Sequence, residues 1–274
     1  LVGRHPTTDN YIPIMATHWS VQEDQRTIYF KLDPDARWTD GEPVTAADYV
    51  HTWHMMASEH IVDPFFNQYA ADYFEEVVAV EPYVLKIVGK FESWRPLDNF
   101  DLWATPAHAV TLEEGFPERY NTAVLPVQGP YVITEQETGQ YVVFERQPDW
   151  WGYKKHYFQG MYNVDRIHLR GIDDNDRAFD FFKKGELSYY RVNTAKKWAE
   201  EMEFDAVKQG YAHRKRLFVD YPSGVYGFAM NLERPIFQNK DFRKAVQYLF
   251  NFDEINEKLM YNAYYRQISA FPGT

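Results

Sequence analysis

The run Trp38-Thr39-Asp40-Gly41-Glu42-Pro43-Val44-Thr45-Ala46-Ala47-Asp48 constrains this chain more than any other stretch of it. Asp40-Gly41 is a turn signal, because glycine tolerates the positive φ of tight turns. Pro43 keeps Glu42 extended and out of the helical region. Thr45 stands as a helix N-cap, and Asp48, three residues on, shortens the capping box and favours the positive end of the helix dipole. A helix is expected from about Ala46 to Ser58, with Tyr49, Val50, Trp53, Met56 and Ala57 along one apolar stripe. Before the turn, Thr27-Ile28-Tyr29-Phe30-Lys31-Leu32 alternates with period two, as a half-buried strand does. Strand, turn and capped helix hold no catalytic group, so the run builds structure.

Composition removes several classes of function. With 274 residues and 45% hydrophobic residues, the chain has ample length for a packed core and for more than one domain. Its net charge of −11 argues against nucleic acid or an anionic membrane as main partner. No cysteine is present, which removes disulfides and thiolate catalysis. No run is long and apolar enough to span a bilayer, and Leu1-Val2-Gly3-Arg4-His5-Pro6 lacks the apolar core of a signal peptide. Twenty Phe, 21 Tyr and eight Trp are the compositional outlier. Most must serve the core, and a minority are candidates to line a cleft for an amphipathic ligand.

Along the chain, Asn10 to Val21 reads as a short segment feeding a turn at Gln22–Gln25. Asp63 to Tyr69 reads as an aromatic-rich loop that Pro64 detaches from the preceding helix. Val77–Val80 and Val84–Val88 form a hairpin around Glu81-Pro82-Tyr83, and Tyr131–Thr134 and Tyr141–Glu145 form another around Thr138-Gly139. Trp94 to Pro106 is irregular, and Leu112 to Tyr120 holds at best a short helix. Val164–Ile172 reads as strand; a helix follows, capped within Asp173–Asp176 and ended by Gly185. Leu187–Val192, Arg216–Val219 and Tyr226–Leu232 read as strands, and Lys196–Phe204 as helix. Asp241 is expected to cap a helix through Phe250, and Asp253 one through Tyr261. Elements in this order, without a regular strand–helix beat, make a mixed α+β fold.

The opening run, with Phe30-Lys31-Leu32 before it, closely resembles the signature of the bacterial extracellular solute-binding proteins, family 5: the oligopeptide, dipeptide and nickel receptors of ABC importers. Four further stretches resemble that family in order. Gly129-Pro130-Tyr131 is similar to its Gly-Thr-Gly-Pro-Tyr loop, with Val127 for the first Gly and Gln128 for the Thr. Arg146-Gln147-Pro148-Asp149-Trp150-Trp151 is similar to Arg-Asn-Pro-Asp-Tyr-Trp. Lys184-Gly185-Glu186-Leu187-Ser188 is similar to Ser-Gly-Glu-Ile-Asp. Phe228-Ala229-Met230-Asn231-Leu232 through Ala245 is similar to the stretch near the hinge. The resemblance implies a class II periplasmic-binding-protein-like fold, present in part: one lobe with an inserted subdomain. On that pattern residues 1–126 are the inserted subdomain and 127–274 the large part of the first lobe. The chain stops at Phe271-Pro272-Gly273-Thr274, about where the crossing into a second lobe is expected. Any export signal also lies outside these residues.

The resemblance implies the substrate-binding component of an ABC importer, periplasmic or extracellular, handing a small solute to a membrane permease by lobe closure. A peptide is the first expectation for cargo and an oligosaccharide the second, since stacked Trp and Tyr serve sugars too. A carbohydrate-active enzyme is the alternative of another class, but no nucleophile elbow, phosphate loop or dinucleotide fingerprint appears. Phe66, Asn67 and Tyr69 are the candidate ligand contacts in the inserted subdomain, because a Pro-punctuated loop obliges less burial. Tyr226 and Asn231, flanking the hinge strand, are the candidates in the large part. His51 and His54 share a helix face, but no third metal ligand is specified, so neither metal nor cofactor is expected.

Overall fold

Ile28, Phe30 and Leu32 face one way along the strand expected at Thr27–Leu32, and in the computed structural model all three are buried in the core. The structure describes residues 1–5, 8–61, 63–217, 224 and 226–267. The chain divides into two compact units, Leu1–Gly171 and Ile172–Thr274.

The first unit opens with a two-stranded ribbon, β1 (Val2–Arg4) and β2 (Tyr11–Pro13). Next come β3 (Ala16–Val21) and β4 (Thr27–Leu32), then helices α1 (Ala46–Met56) and α2 (Pro64–Tyr73), and the hairpin β5 (Phe74–Glu81) and β6 (Val84–Gly89). β3-β4-β6-β5 is a fully antiparallel sheet, with Ile28 opposite Ile87 and Phe30 opposite Leu85. α1 packs over β5 and β6. It buries Ala46, Tyr49 and Met56, while Val50 and Trp53 are half-buried and Ala57 is exposed. Short helices α3 (Pro96–Asn99) and α4 (Phe116–Tyr120) interrupt the irregular stretch that follows. β7 (Tyr131–Glu137), β8 (Tyr141–Arg146) and β9 (Arg166–Arg170) form a three-stranded antiparallel sheet.

The Trp38–Asp48 run forms as its chemistry predicts. Trp38 N donates to Glu42 O at 2.8 Å across the turn, and Gly41 takes φ +93°. The Asp48 carboxylate reaches back to the Thr45 N–H at 2.8 Å through Oδ2, while Oδ1 accepts Ala107 N at 3.0 Å. Asp48 is buried, so one carboxylate both caps α1 and fastens the 105–107 segment to it. Thr52 and Thr105 hydroxyls, 2.9 Å apart, close the same seam.

Residues 127–158 are tied to one another and to the stretch that follows β4, residues 33–39, by long-range bonds. Thr39 N donates to Val127 O at 2.9 Å. The indoles of Trp150 and Trp151 both donate to Gln128 O, at 2.7 and 3.2 Å. Lys155 Nζ lies 2.7 Å from Asp33, which is 1% exposed, and 2.9 Å from Asp35. Thus two of the stretches singled out in the sequence, the Gly-Pro-Tyr loop and the Trp-Trp segment, meet on a single carbonyl.

The second unit holds α5 (Asn175–Lys183), a short π-helix at Lys197–Glu201, α6 (Asp205–Lys208), α7 (Pro235–Gln238), α8 (Lys240–Leu249) and α9 (Phe252–Leu259). Asp174 caps α5, and Gly185 follows it at φ +79°.

Several expectations are corrected. Tyr11–Val21 is not a plain lead-in but carries two strands. Pro64 starts a helix, because the first helical position needs no backbone N–H donor. Leu187–Val192 and Tyr226–Leu232 are not strands: among the described residues this unit has no strand to take their ladder bonds. Arg216 and Leu217 are irregular, and Val219 lies outside the described residues, as do Phe271–Thr274. The helix expected at Lys196–Phe204 is a short π-helix, Lys197–Glu201, which ends before Phe204. Asn239 and Asn251 cap α8 and α9, their side chains reaching the free N–H groups of the first turn, which Asp241 and Asp253 occupy.

Candidate ligand-binding site

The segment holding three of the predicted contacts is a helix with a defined start. The Asp63 side chain accepts the Phe65 N–H at 2.9 Å, and Pro64 opens α2. Helical periodicity then sorts the side chains. Phe66, Tyr69 and Tyr73 turn toward the core, and Ala70 is buried. Phe65 turns outward and is 70% exposed. Its ring lies parallel to Tyr69 at 6.3 Å and edge-on to Phe66 at 5.5 Å, and Phe66 in turn meets Trp103 at 5.5 Å. The result is an aromatic wall with an open end at Phe65 and Trp103.

Two of the three predicted contacts have their polar atoms engaged within the fold. Asn67 Nδ2 donates to Met56 O at 2.7 Å, a carbonyl at the end of α1, and to Ser58 O at 3.4 Å just beyond it. The Tyr69 hydroxyl donates to Asn99 O at 3.1 Å, and burial pushes its pKa up to about 12. Phe66 packs partly against the core. Phe65 was missed as a candidate. The signal was present in Asp63-Pro64, a cap followed by a first-turn proline, from which the outward position follows by counting.

In the second unit, Tyr226 is 96% exposed, and its backbone N–H donates to Gln267 Oε1 at 3.2 Å. Gln267 Nε2 donates in turn to Gly224 O at 2.9 Å, so one amide side chain fixes the backbone that presents the Tyr226 ring. Asn231 Oδ1 accepts the Glu233 N–H at 2.9 Å and shapes a turn. The two groups of predicted contacts belong to separate units: Phe66, Asn67 and Tyr69 to the first, Tyr226 and Asn231 to the second.

The histidines on α1 do not converge on a metal. His54 is exposed beside Trp53, while burial holds the half-buried His51 imidazole below its usual pKa. Among the described residues no group of three metal-ligating side chains occurs. No helix of the described residues is long and apolar enough to cross a membrane.

Comparison with known proteins bears on the whole chain. Residues 10–274 match the middle part of the bacterial extracellular solute-binding proteins, family 5. A probable peptide-binding protein, YejA, of Agrobacterium fabrum is 30% identical over 268 residues, covering 95% of this chain and 43% of that protein. A putative binding protein of Brucella melitensis is 27% identical over 263 residues, with 95% and 42% coverage. The chain thus spans less than half the length of these relatives. Among solved structures, the unliganded open form of MppA, a periplasmic murein tripeptide-binding protein, superposes with a TM-score of 0.72 at 18% identity. That match covers 99% of this chain and 53% of the other, so the fold is of the periplasmic-binding-protein type, present in part.

Proposed function

The chain belongs to the bacterial extracellular solute-binding proteins, family 5, and from that membership we propose that the full-length protein is the substrate-binding component of an ABC importer. It captures a small solute, a peptide first, in a cleft between lobes, and passes it to a membrane permease. The family match along residues 10–274 carries this reading. The peptide-binding name of the Agrobacterium relative and the tripeptide-binding function named for MppA support the cargo class. The protein acts as a receptor rather than an enzyme, outside the cytoplasm, with no nucleic-acid partner and no cofactor. Residues 1–126 serve as the inserted subdomain of the first lobe and 127–274 as its larger part.

The proposed ligand contacts are the open end of the α2 wall, with Phe65 foremost and Phe66 and Tyr69 behind it, and Tyr226 and Asn231 in the second unit. Asn67 holds α2 against α1. Closure of two lobes on a ligand is stabilised by the contacts the ligand makes to both. Exposed aromatic faces also suit sugar rings, which keeps an oligosaccharide as the second reading of cargo.

Short peptides are expected to raise the melting temperature of the full-length protein, as binding to the native state requires. Stabilisation by oligosaccharides alone overturns the cargo assignment. Phe65→Ala is expected to weaken peptide binding about tenfold at unchanged stability, the cost of one stacking contact of about 1.4 kcal/mol. Titration calorimetry reads the first effect and thermal melting the second.

A further inference from the structure

A hollow of about 550 Å³ opens in the first unit between the β1–β2 ribbon, the end of β3 and α3. Arg4, Tyr11, Gln25, Trp94, Arg95 and Leu97 are among the residues that line it. It is a shallow hollow open to solvent rather than an enclosed cleft, so a ligand there would lie against its wall. Trp94 at its rim is 86% exposed, far more than any other described tryptophan. The guanidinium of Arg95 lies 5.1 Å from the Trp94 ring centroid.

Charge decides what the hollow accepts. Arg4 Nη2 binds both oxygens of Asp98, at 2.9 and 2.7 Å, and Arg95 Nε binds the same carboxylate at 2.8 Å. Arg4 also lies 3.6 Å from Asp9 and stacks 3.8 Å over the Tyr11 ring. Two guanidiniums and two carboxylates balance, so no net positive charge is left to attract an anion. What is left is hydrogen-bonding capacity: the terminal amino groups of Arg95, whose charge Asp98 offsets, and the side-chain amide of Gln25, neither of which hydrogen-bonds to a described residue. Gln25 is held in place by its backbone, its N–H on Gln22 O at 3.0 Å and its carbonyl accepting Ser93 N at 3.1 Å. Ser93 directly precedes Trp94, so the amide and the indole are set side by side.

We propose that this hollow is a binding site for a neutral saccharide ring. The apolar C–H face of a sugar complements the negative face of an indole. Ring hydroxyls accept from Arg95 and exchange hydrogen bonds with Gln25, which both donates and accepts. None of these residues belongs to the peptide contacts proposed above, so the inference stands or falls apart from that reading.

The test is calorimetric titration of the full-length protein with cellobiose, N,N′-diacetylchitobiose and maltotriose. At least one of the three is expected to bind. Trp94→Ala should weaken that binding at least about tenfold, and Gln25→Ala by a smaller factor. Both side chains are exposed, so neither substitution threatens the fold. Peptide-induced stabilisation should be the same in Trp94→Ala as in the unmodified protein. Absence of binding by all three saccharides overturns the proposal. So does equal saccharide affinity in Trp94→Ala, or a loss that follows Phe65→Ala instead.

Discussion

Lys155 shows how one side chain can hold two parts of a sequence together. Burial alone would lower its pKa, but its bonds to Asp33 and Asp35 outweigh that and raise it above the ordinary lysine value. The neighbouring Tyr157 phenol, 3.3 Å from Asp33, is pushed up to about 12, chiefly by burial. Lys155→Met leaves the buried Asp33 carboxylate without its cationic partner, and is expected to cost about 3 kcal/mol in chemical denaturation. The pH dependence has a definite sign. A raised pKa means that the Lys155 contribution is complete below the unfolded lysine value near 10.5 and lost as pH rises through the folded one. The stability gap between the unmodified protein and Lys155→Met is therefore expected to be constant at neutral pH and to close above pH 10.5. A gap that persists there would show that packing, not charge, accounts for it. None of this was legible in the sequence. Asp33 and Lys155 are separated by more than a hundred positions, and neither lies in a pattern that names the other.

Among the elements, α1 and α2 mark what local chemistry can and cannot reveal. The start of α1 was legible because the turn, the proline and the cap all pointed to one place. Its second duty was not: Asp48 also binds Ala107 N, a partner brought in by the fold. Asp48→Asn keeps the size of the side chain but weakens both functions, and is expected to cost about 2 kcal/mol. A simple N-cap loss sits near 1 kcal/mol, so the excess measures the 105–107 seam. Equilibrium unfolding of Asp48→Asn beside Thr52→Ala checks it. The β7–β8 hairpin and α5 were legible for the same local reasons as α1. α2 was misread because Pro64 looked like an ending when it was a beginning, and that error hid Phe65. The strands expected at 187–192 and 226–232 failed for a different reason. Alternation marks a face, but a strand also needs a neighbour to complete its backbone bonds.

For the molecule as a whole, the two units differ in how much apolar surface they bury. The first has a continuous core from Leu1 to Phe158, including Trp38, Tyr49, Phe100 and Trp150. In the second, only Phe179, Ala195 and Met202 are buried among the described hydrophobic residues, while Phe228, Tyr248 and Leu249 are more than four-fifths exposed. Residues 1–171 expressed alone are expected to melt cooperatively. Residues 172–274 alone are expected to bind a hydrophobic dye and to melt without a sharp transition. A cooperative melt of the shorter piece would contradict this. The family could be recognised from the string even where the fold could not be derived from it, because its motifs fall where the chain turns and docks. The paired indoles on the Gln128 carbonyl carry a consequence for variation at that position. The acceptor is main chain, so any residue that keeps the same backbone path supplies it equally. A saturation library should therefore find position 128 permissive and positions 150 and 151 intolerant, although the same two hydrogen bonds join all three.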